Sequence, residues 1–184
     1  MTLKDQQIRM ALIAKLKNAS LPPKAIMEEL RVHNGNAIAD VVALYSEAHC
    51  YEIKGETDKI ARISQQSRFY DFSFRKITLV TTQNHQINAE KYSPAHWGII
   101  IACHNRDSIR FKHHRKARNN PKFNKELALM TLWKSEMLAL LEEDSFSRKS
   151  RSFLANMISM AKKKEELSTA ICEQLITRPF RNLA

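Results

Sequence analysis

Two short apolar segments joined by a tight link constrain this chain more than any other feature. Residues 37–45 and 49–54 are rich in Val, Ile, Leu and Tyr, which predicts two strands of a hairpin. Asp40 lies on the first strand, and Glu52 and Lys54 lie on the second. Because side chains alternate along a strand, Glu52 and Lys54 should point to the same face of a sheet. Burying such charges unpaired is costly, and a bound metal ion is one way to offset that cost.

Composition narrows the class of protein. The chain has 184 residues, of which 43% are hydrophobic, and a formal net charge of +11. This charge favours a polyanionic partner, with nucleic acid first and an anionic membrane second. No apolar run is long enough to span a bilayer, and the polar start lacks the apolar region of a signal peptide. Three scattered cysteines are expected to stay reduced, so we expect a cytoplasmic protein without membrane association.

The rest of the first half predicts further helices and strands. Apolar residues at helical spacing predict a helix over 3–17, and a second helix from Lys24 to Leu30 after a proline break. Thr57 can cap a helix that runs to about Tyr70. Runs 76–82 and 97–102 are apolar and read as buried strands. The order predicts an α/β fold, a mixed β-sheet flanked by helices.

The character of the sequence changes after residue 105. We expect a core over 1–105, then a basic connection and a C-terminal helical extension over 106–184. Two helical stretches, about 122–143 and 148–176, should pack on the core, form a homodimer or hold a protein partner. The residues expected to contact nucleic-acid phosphates are Arg110, Lys112, Arg115, Lys116 and Arg118.

The hairpin charges suit metal-assisted cleavage of a phosphodiester. Asp40 and Glu52 can share one divalent ion, and the carbonyl of Ile53 offers a further oxygen ligand. Lys54 can orient the attacking water, help to deprotonate it, or stabilise charge on the phosphate. The alternative for a short Glu-x-Lys is an ordinary exposed ion pair on an edge strand. The aspartate on the preceding strand and the helix that follows favour the functional interpretation.

These residues resemble the PD-(D/E)xK nuclease superfamily. Asp40 matches the aspartate of the motif, and Glu52-Ile53-Lys54 matches its E-x-K. Gln66-Ser-Arg-Phe-Tyr70 is similar to a Q-x-x-x-Y helix motif of several branches. Further matches to one bacterial and phage branch are Asp58 and Arg62, Trp97-Gly98, and Leu132-Trp-Lys-Ser-Glu136. The resemblance covers roughly residues 5–143. It departs from the pattern at Ala39, where the motif has proline, and at Ile38, where that branch often has arginine.

The resemblance implies a restriction-endonuclease-like core and a set of residue roles. Glu29, on the helix expected before the first strand, would complete the metal site, with Glu28 beside it as an alternative. Gln66 would act near the site or the scissile phosphate, and Tyr70 would support it or contact DNA. Arg62 would contact substrate or simply pair with Asp58.

The function expected is a Mg2+-dependent deoxyribonuclease, in which Mn2+ can substitute. The family's chemistry covers DNA and sometimes RNA, in repair, recombination, restriction or defence. The alternatives are a non-catalytic nucleic-acid-binding protein on the same fold and a module that regulates another nuclease.

Overall fold

The computed structural model describes residues 2–105, 108–141 and 144–179. Six strands form one sheet within them. The strands are β1 (Ala25–Val32), β2 (Ala37–Leu44), β3 (Ala48–Ile53), β4 (Lys76–Thr82), β5 (Gly98–Asn105) and β6 (Ser108–Arg115). The helices are α1 (Asp5–Lys17), α2 (Ile63–Ser73), α3 (Gln86–Tyr92), α4 (Lys125–Leu129), α5 (Lys134–Leu141), α6 (Arg151–Ala161) and α7 (Lys164–Thr177).

The sheet is mixed, and its strands lie side by side in chain order. β1, β2 and β3 are antiparallel to one another, β3, β4 and β5 are parallel, and β6 is antiparallel to β5. Helices lie on both faces of the sheet. The predicted mixed sheet flanked by helices is therefore confirmed, and so is the hairpin of β2 and β3.

One apolar cluster lies on each face of the sheet. On one face, Leu3 and the α1 residues Ile8, Leu12 and Leu16 are buried against strand residues that include Val41. On the other face, α2, α3 and the C-terminal helices bury a larger cluster. Ile171 and Leu175 of α7 belong to this second cluster, so the C-terminal helices fold back onto the sheet. No helix of the described ranges is both long and apolar enough to cross a membrane.

The segment before the hairpin is a strand, which corrects the helix predicted from Lys24 to Leu30. β1 forms a regular ladder with β2, from Ala25 opposite Leu44 to Val32 opposite Ala37. This pairing satisfies the backbone groups of β1 with those of the next strand along the chain, and it outweighs a short local helical pattern. The predicted helix over 57–70 also starts later than expected, because residues 60–62 form a 3-10 turn and α2 begins at Ile63.

The basic segment adds a strand to the sheet. β6 pairs with β5 from Asn105 opposite Ser108 to Ile99 opposite Arg115, so the sheet extends beyond residue 105. Residues 106 and 107, where the boundary between core and connection was expected, lie outside the described residues. The two long C-terminal helices that were predicted are each divided, into α4 and α5 and into α6 and α7. Side-chain caps from Asn124 and Ser150 start α4 and α6.

Candidate active site

Asp40 and Glu52 lie beside each other at the end of the β2–β3 ladder. Val42 lies opposite Cys50 in this ladder, and both side chains belong to the cluster under α2. Strand alternation places Glu52, two residues after Cys50, on the same face. Next to Asp40 the alternation of β2 is interrupted, because Ala39 belongs to the same cluster as Val42, whereas Val41 belongs to the cluster under α1.

The β2–β3 ladder ends beside these carboxylates. Its last regular pair is Val41 opposite Tyr51. Beyond it, the backbone N–H of Ile53 donates a 2.8 Å hydrogen bond to Asp40 Oδ2 instead of to the neighbouring strand. The N–H and C=O of one strand residue point to the same side, so the Ile53 carbonyl also faces the strand that carries Asp40. The ladder opening thus brings two carboxylates and a main-chain oxygen to one place.

Glu52 is buried with only half of its carboxylate satisfied. The residue is 2% exposed, and its Oε1 accepts a 2.5 Å hydrogen bond from Lys54 Nζ. Its Oε2 is buried and has no hydrogen-bond partner of normal geometry in the described part of the chain. Burial, and next the charge of Asp40, raise the pKa of Glu52 to about 7, against lowering effects of Lys54 and of the nearby Tyr70 hydroxyl. The carboxylate therefore has an open position for a cation or a proton.

Asp40 has a similar environment with different partners. Burial raises its pKa above the ordinary value, and this is partly offset by the Ile53 N–H and by the charges of Lys54 and Arg9. Arg9 reaches Asp40 from α1, with 3.2 Å between Nη2 and Oδ1. Sequence reasoning missed Arg9, because its place on a charged helix is 31 residues from Asp40 and no local pattern distinguishes it.

Glu29 lies on strand β1 and not on a helix, which corrects its predicted setting. The ladder pairs Glu28 with Val41 and Leu30 with Ala39, so Glu29 is opposite Asp40. Its φ of 52° is in the left-handed region, which is unusual for a residue other than glycine. Its side chain is 68% exposed and pairs with Arg9 at 3.0 Å. Glu29 is therefore joined to Asp40 through Arg9.

Gln66 and Tyr70 lie one turn apart on α2. The Tyr70 hydroxyl donates a 2.9 Å hydrogen bond to the carbonyl of Ile38, and the residue is 1% exposed. Tyr70 is therefore too buried to contact DNA in this structure. Its hydroxyl instead holds β2 at Ile38, two residues before Asp40. The Oε1 of Gln66 is buried and has no partner among the described residues.

Arg62 and Asp58 do not form the expected ion pair within the described ranges. Asp58 instead accepts a 2.7 Å hydrogen bond from the backbone N–H of Gly55, in the turn that follows Lys54. Arg62 is exposed next to the first turn of α2. Its guanidinium is therefore accessible to a substrate.

The basic residues after residue 105 have different surroundings. Arg110 and Lys112 are exposed on β6, opposite Cys103 and Ile101. Since Ile101 belongs to the cluster under α2, these two basic side chains share the face of the sheet that carries Glu52. β6 lies three strands from β3, about 14 Å across the sheet.

Lys116 and Arg118 are exposed beyond β6, whereas Arg115 points inward. Its guanidinium donates to the Trp97 carbonyl at 2.7 Å and to Ser93 Oγ at 2.6 Å. The phosphate contact predicted for Arg115 would compete with these bonds. In this structure Arg115 stabilises the turn before β5 through these hydrogen bonds.

Of the remaining residues of the resemblance, Trp97 and Glu136 are buried in structural roles, whereas Trp133 is 48% exposed. Trp97 is fully buried, and its indole N–H donates a 2.7 Å hydrogen bond to Asp71. Glu136 binds Arg178 and accepts a hydrogen bond from the backbone N–H of Trp133. These side chains support the fold away from the hairpin charges.

The described residues contain no group of three or more His, Cys, Asp or Glu side chains arranged to hold a metal ion. A metal ion at the hairpin would therefore rest on Asp40, Glu52 and the Ile53 carbonyl. Glu29 would join them only if it left Arg9.

The fold and this site define a mixed α/β protein in which a half-satisfied buried carboxylate, Glu52, lies beside the partly buried Asp40 at a ladder opening. The family model for bacteriophage P4 protein cII matches residues 1–178, and the chain belongs to this family. Protein cII of Enterobacteria phage P4 is 29% identical over 176 residues, which cover 92% of this chain and 67% of that protein. A protein of unknown function from Silicibacter pomeroyi aligns over 77% of this chain and 92% of its own, at 18% identity and a TM-score of 0.48.

Proposed function

We propose that this chain is a metal-dependent nuclease that hydrolyses phosphodiester bonds, with DNA as the first expected substrate. The core would be restriction-endonuclease-like, as the resemblance to the PD-(D/E)xK superfamily implies. The observation that carries the proposal is Glu52, a buried carboxylate with one oxygen that accepts no hydrogen bond of normal geometry from the described residues, beside the partly buried carboxylate of Asp40. Carboxyl groups with a raised pKa and an open position are a common mark of functional sites.

The ligand set fits a hard divalent cation. Asp40, Glu52 and the Ile53 carbonyl would offer oxygen atoms only, which Mg2+ and Mn2+ accept. The unpartnered Glu52 Oε2 is the atom that such an ion would satisfy. When bound, the ion would polarise a water molecule and stabilise negative charge on the phosphate.

The chain's own residues would bind and orient the substrate. Lys54 is 14% exposed and contacts Glu52, so it can hold a proton or a positive charge beside the phosphate. Gln66 would position the reacting groups, and Tyr70 would hold the strand before Asp40 in place through Ile38. The exposed cations expected to contact backbone phosphates are Arg62, Arg110, Lys112, Lys116 and Arg118.

A cleavage assay tests this function directly. Purified wild-type protein and Lys54→Ala are incubated with labelled linear, single-stranded and branched DNA in Mg2+, in Mn2+ and in EDTA. We expect cleavage by the wild type that needs a metal ion and is lost in the variant. Lys59→Ala is the matched control, because Lys59 is an exposed lysine five residues further along the chain. Cleavage by Lys54→Ala at the wild-type rate would show that the assigned site is wrong.

One observation favours a second candidate, a non-catalytic nucleic-acid-binding protein on the same fold. Both carboxylates already contact cations of the chain, Asp40 through Arg9 and Glu52 through Lys54. Such a protein would need the basic surface but no turnover. Binding of DNA with steep salt dependence and without a metal-dependent product would favour this candidate.

A further inference from the structure

Arg9 is the cation of the site that sequence reasoning did not find. It lies on α1, which packs against one face of the sheet, and its guanidinium reaches carboxylates of β1 and β2. Nη1 contacts Glu29 at 3.0 Å and Nη2 contacts Asp40 at 3.2 Å. The side chain is 17% exposed. A permanently charged group is therefore held at the place where the proposed substrate would bind.

Some N–H donors of the Arg9 guanidinium are not used by its two contacts. It presents several N–H groups in one plane, and the two contacts use only the Nη atoms. Its Nε is buried without a hydrogen-bond partner among the described residues. A buried charged donor without an acceptor is costly, and this is a reason to expect an acceptor from outside the chain.

A role restricted to fastening α1 does not account for this arrangement. α1 is already anchored by Leu3, Ile8, Leu12 and Leu16, all buried against the sheet. The chain before α1 also packs tightly on the turn after Lys54, where the Glu56 N–H donates a 2.9 Å hydrogen bond to the Leu3 carbonyl. A Cβ added to Gly55 would lie 2.8 Å from the same carbonyl oxygen. This packing fixes α1 next to Lys54 without any help from Arg9.

We propose that Arg9 is a substrate-binding residue whose guanidinium contacts a non-bridging oxygen of the phosphate at this site. The proposal rests on the proposed function and deepens it. Charge supports it once a divalent ion is bound, because the ion, Arg9 and Lys54 together then outweigh the negative charges of Glu29, Asp40 and Glu52. A divalent ion on Asp40 and Glu52 would reduce the hold of Asp40 on Arg9, while Glu29 would keep the guanidinium nearby. The planar fork of arginine matches phosphate oxygens, which lysine contacts only as a point charge.

DNA binding tests the proposal without relying on turnover. Affinity for labelled single-stranded and duplex DNA is measured in Mg2+ over a range of salt, with Lys54→Ala as the parent protein so that the substrate stays intact. Adding Arg9→Gln should weaken binding about tenfold or more, the effect of losing one hydrogen bond to a charged group. The slope of log affinity against log salt should shrink by about 0.9 on duplex DNA, as for one lost phosphate contact.

Two further variants separate phosphate contact from other effects. Arg9→Lys should restore the salt slope but only part of the affinity, because it returns the charge without the fork. Lys17→Gln is the matched control, since it removes an exposed cation from the same helix two turns away and should change binding little. Urea unfolding checks that each variant is folded. If Arg9→Gln does not fold, the comparison of Arg9→Lys with its parent still tests the proposal.

The outcomes distinguish this proposal from the proposed function. Binding by Arg9→Gln with the affinity and salt slope of its parent, or an equal loss in Lys17→Gln, overturns the role of Arg9 and leaves the nuclease proposal standing. Absence of DNA binding by the parent and by wild type in every condition overturns both.

Discussion

The chain buries two glutamates in opposite ways. Glu136, on α5, receives both arms of Arg178: Nε and Nη2 each donate a 2.6 Å hydrogen bond, one to each carboxylate oxygen. The backbone N–H of Trp133 adds a 2.7 Å bond, and the Arg178 guanidinium also stacks on the Trp133 ring at 4.4 Å. Glu52 accepts one hydrogen bond, from a flexible lysine, and its other oxygen accepts none of normal geometry from the described residues, although the Tyr70 hydroxyl lies close enough to lower its pKa.

The difference distinguishes a charge that stabilises the fold from the charge to which we assign a function. A two-armed pair with every oxygen satisfied joins the chain beyond α7 to α5 and has no position left for a ligand. A half-satisfied carboxylate beside another carboxylate is maintained at a cost in stability, and such sites are where function is usually found. Four predictions can break or sharpen this contrast.

The largest change in the free energy of unfolding is expected at the pair of Glu136 and Arg178. Arg178→Ala would leave Glu136 as an uncompensated buried charge and should lower the free energy of unfolding by about 3–5 kcal/mol. Arg148→Ala, which removes an exposed arginine, is the control and should change stability by less than about 0.5 kcal/mol. Urea denaturation measures both. A small loss in Arg178→Ala would show that the pair is no more important to the fold than a surface contact.

Glu52 should give the opposite result, since neutralising it should stabilise the metal-free protein. Its pKa is about 7 in the folded protein and lower when unfolded, so the folded state holds the extra proton. The stability from this proton is complete below the unfolded pKa and is lost as the pH rises through about 7. Glu52→Gln should therefore exceed wild type in stability at pH 8 in EDTA by roughly 3 kcal/mol, and much less at pH 5.

Comparing Glu52→Gln with wild type at each pH cancels the other groups that titrate in this range. His49, for example, is partly buried, and desolvation lowers its pKa to about 4, which makes the protein less stable at acid pH. Urea unfolding at several pH values measures the difference. If the two proteins differ equally at pH 5 and pH 8, Glu52 does not carry a raised pKa.

A divalent ion should offset the loss of stability that the ionised Glu52 causes at alkaline pH. Because Mg2+ or Mn2+ would bind the ionised carboxylates, adding it should stabilise wild type at pH 8 by about 1.4–2.7 kcal/mol at ten to a hundred times the dissociation constant. The gain should shrink at pH 6, where protons compete for Glu52. Differential scanning calorimetry follows it, with Glu52→Gln as the control. Equal stabilisation of the variant would place any bound ion elsewhere.

The smallest effect is expected from the C-terminal helices alone. Ser150 caps α6 by accepting a hydrogen bond from the Phe153 N–H, so Ser150→Ala should cost about 1 kcal/mol. Metal and DNA affinity should stay at the wild-type values, because this cap does not contact the hairpin charges. A loss of DNA affinity in a folded Ser150→Ala protein would extend the functional surface to the C-terminal layer.

The parts of the fold that depend on local pattern were predictable from the sequence. The β2–β3 hairpin, the buried strands β4 and β5, and α1 follow from apolar runs and spacing. Asp40 and Glu52 were placed correctly on neighbouring strands, because a hairpin register is a short-range property.

The parts that depend on pairing or packing between segments were not predictable from each segment's own pattern. β1 is a strand because β2 pairs with it, although its residues also fit a helix. Arg9 reaches Asp40 only after α1 packs on the sheet. The charge of Arg115 suggested phosphate contact, whereas nearby carbonyl oxygens of the turn before β5 take up its donors.

The hairpin that brings the carboxylates together also determines the order in which the site assembles during folding. Asp40 and Glu52 are close in sequence, and hairpins form within microseconds, so the acidic pair should meet early. Lys54 arrives with the same strand, whereas Arg9 must wait until α1 docks over the sheet. We therefore expect the hairpin to carry excess negative charge before α1 packs on the sheet. A divalent ion in solution would then speed folding by binding the carboxylates before Arg9 contacts Asp40.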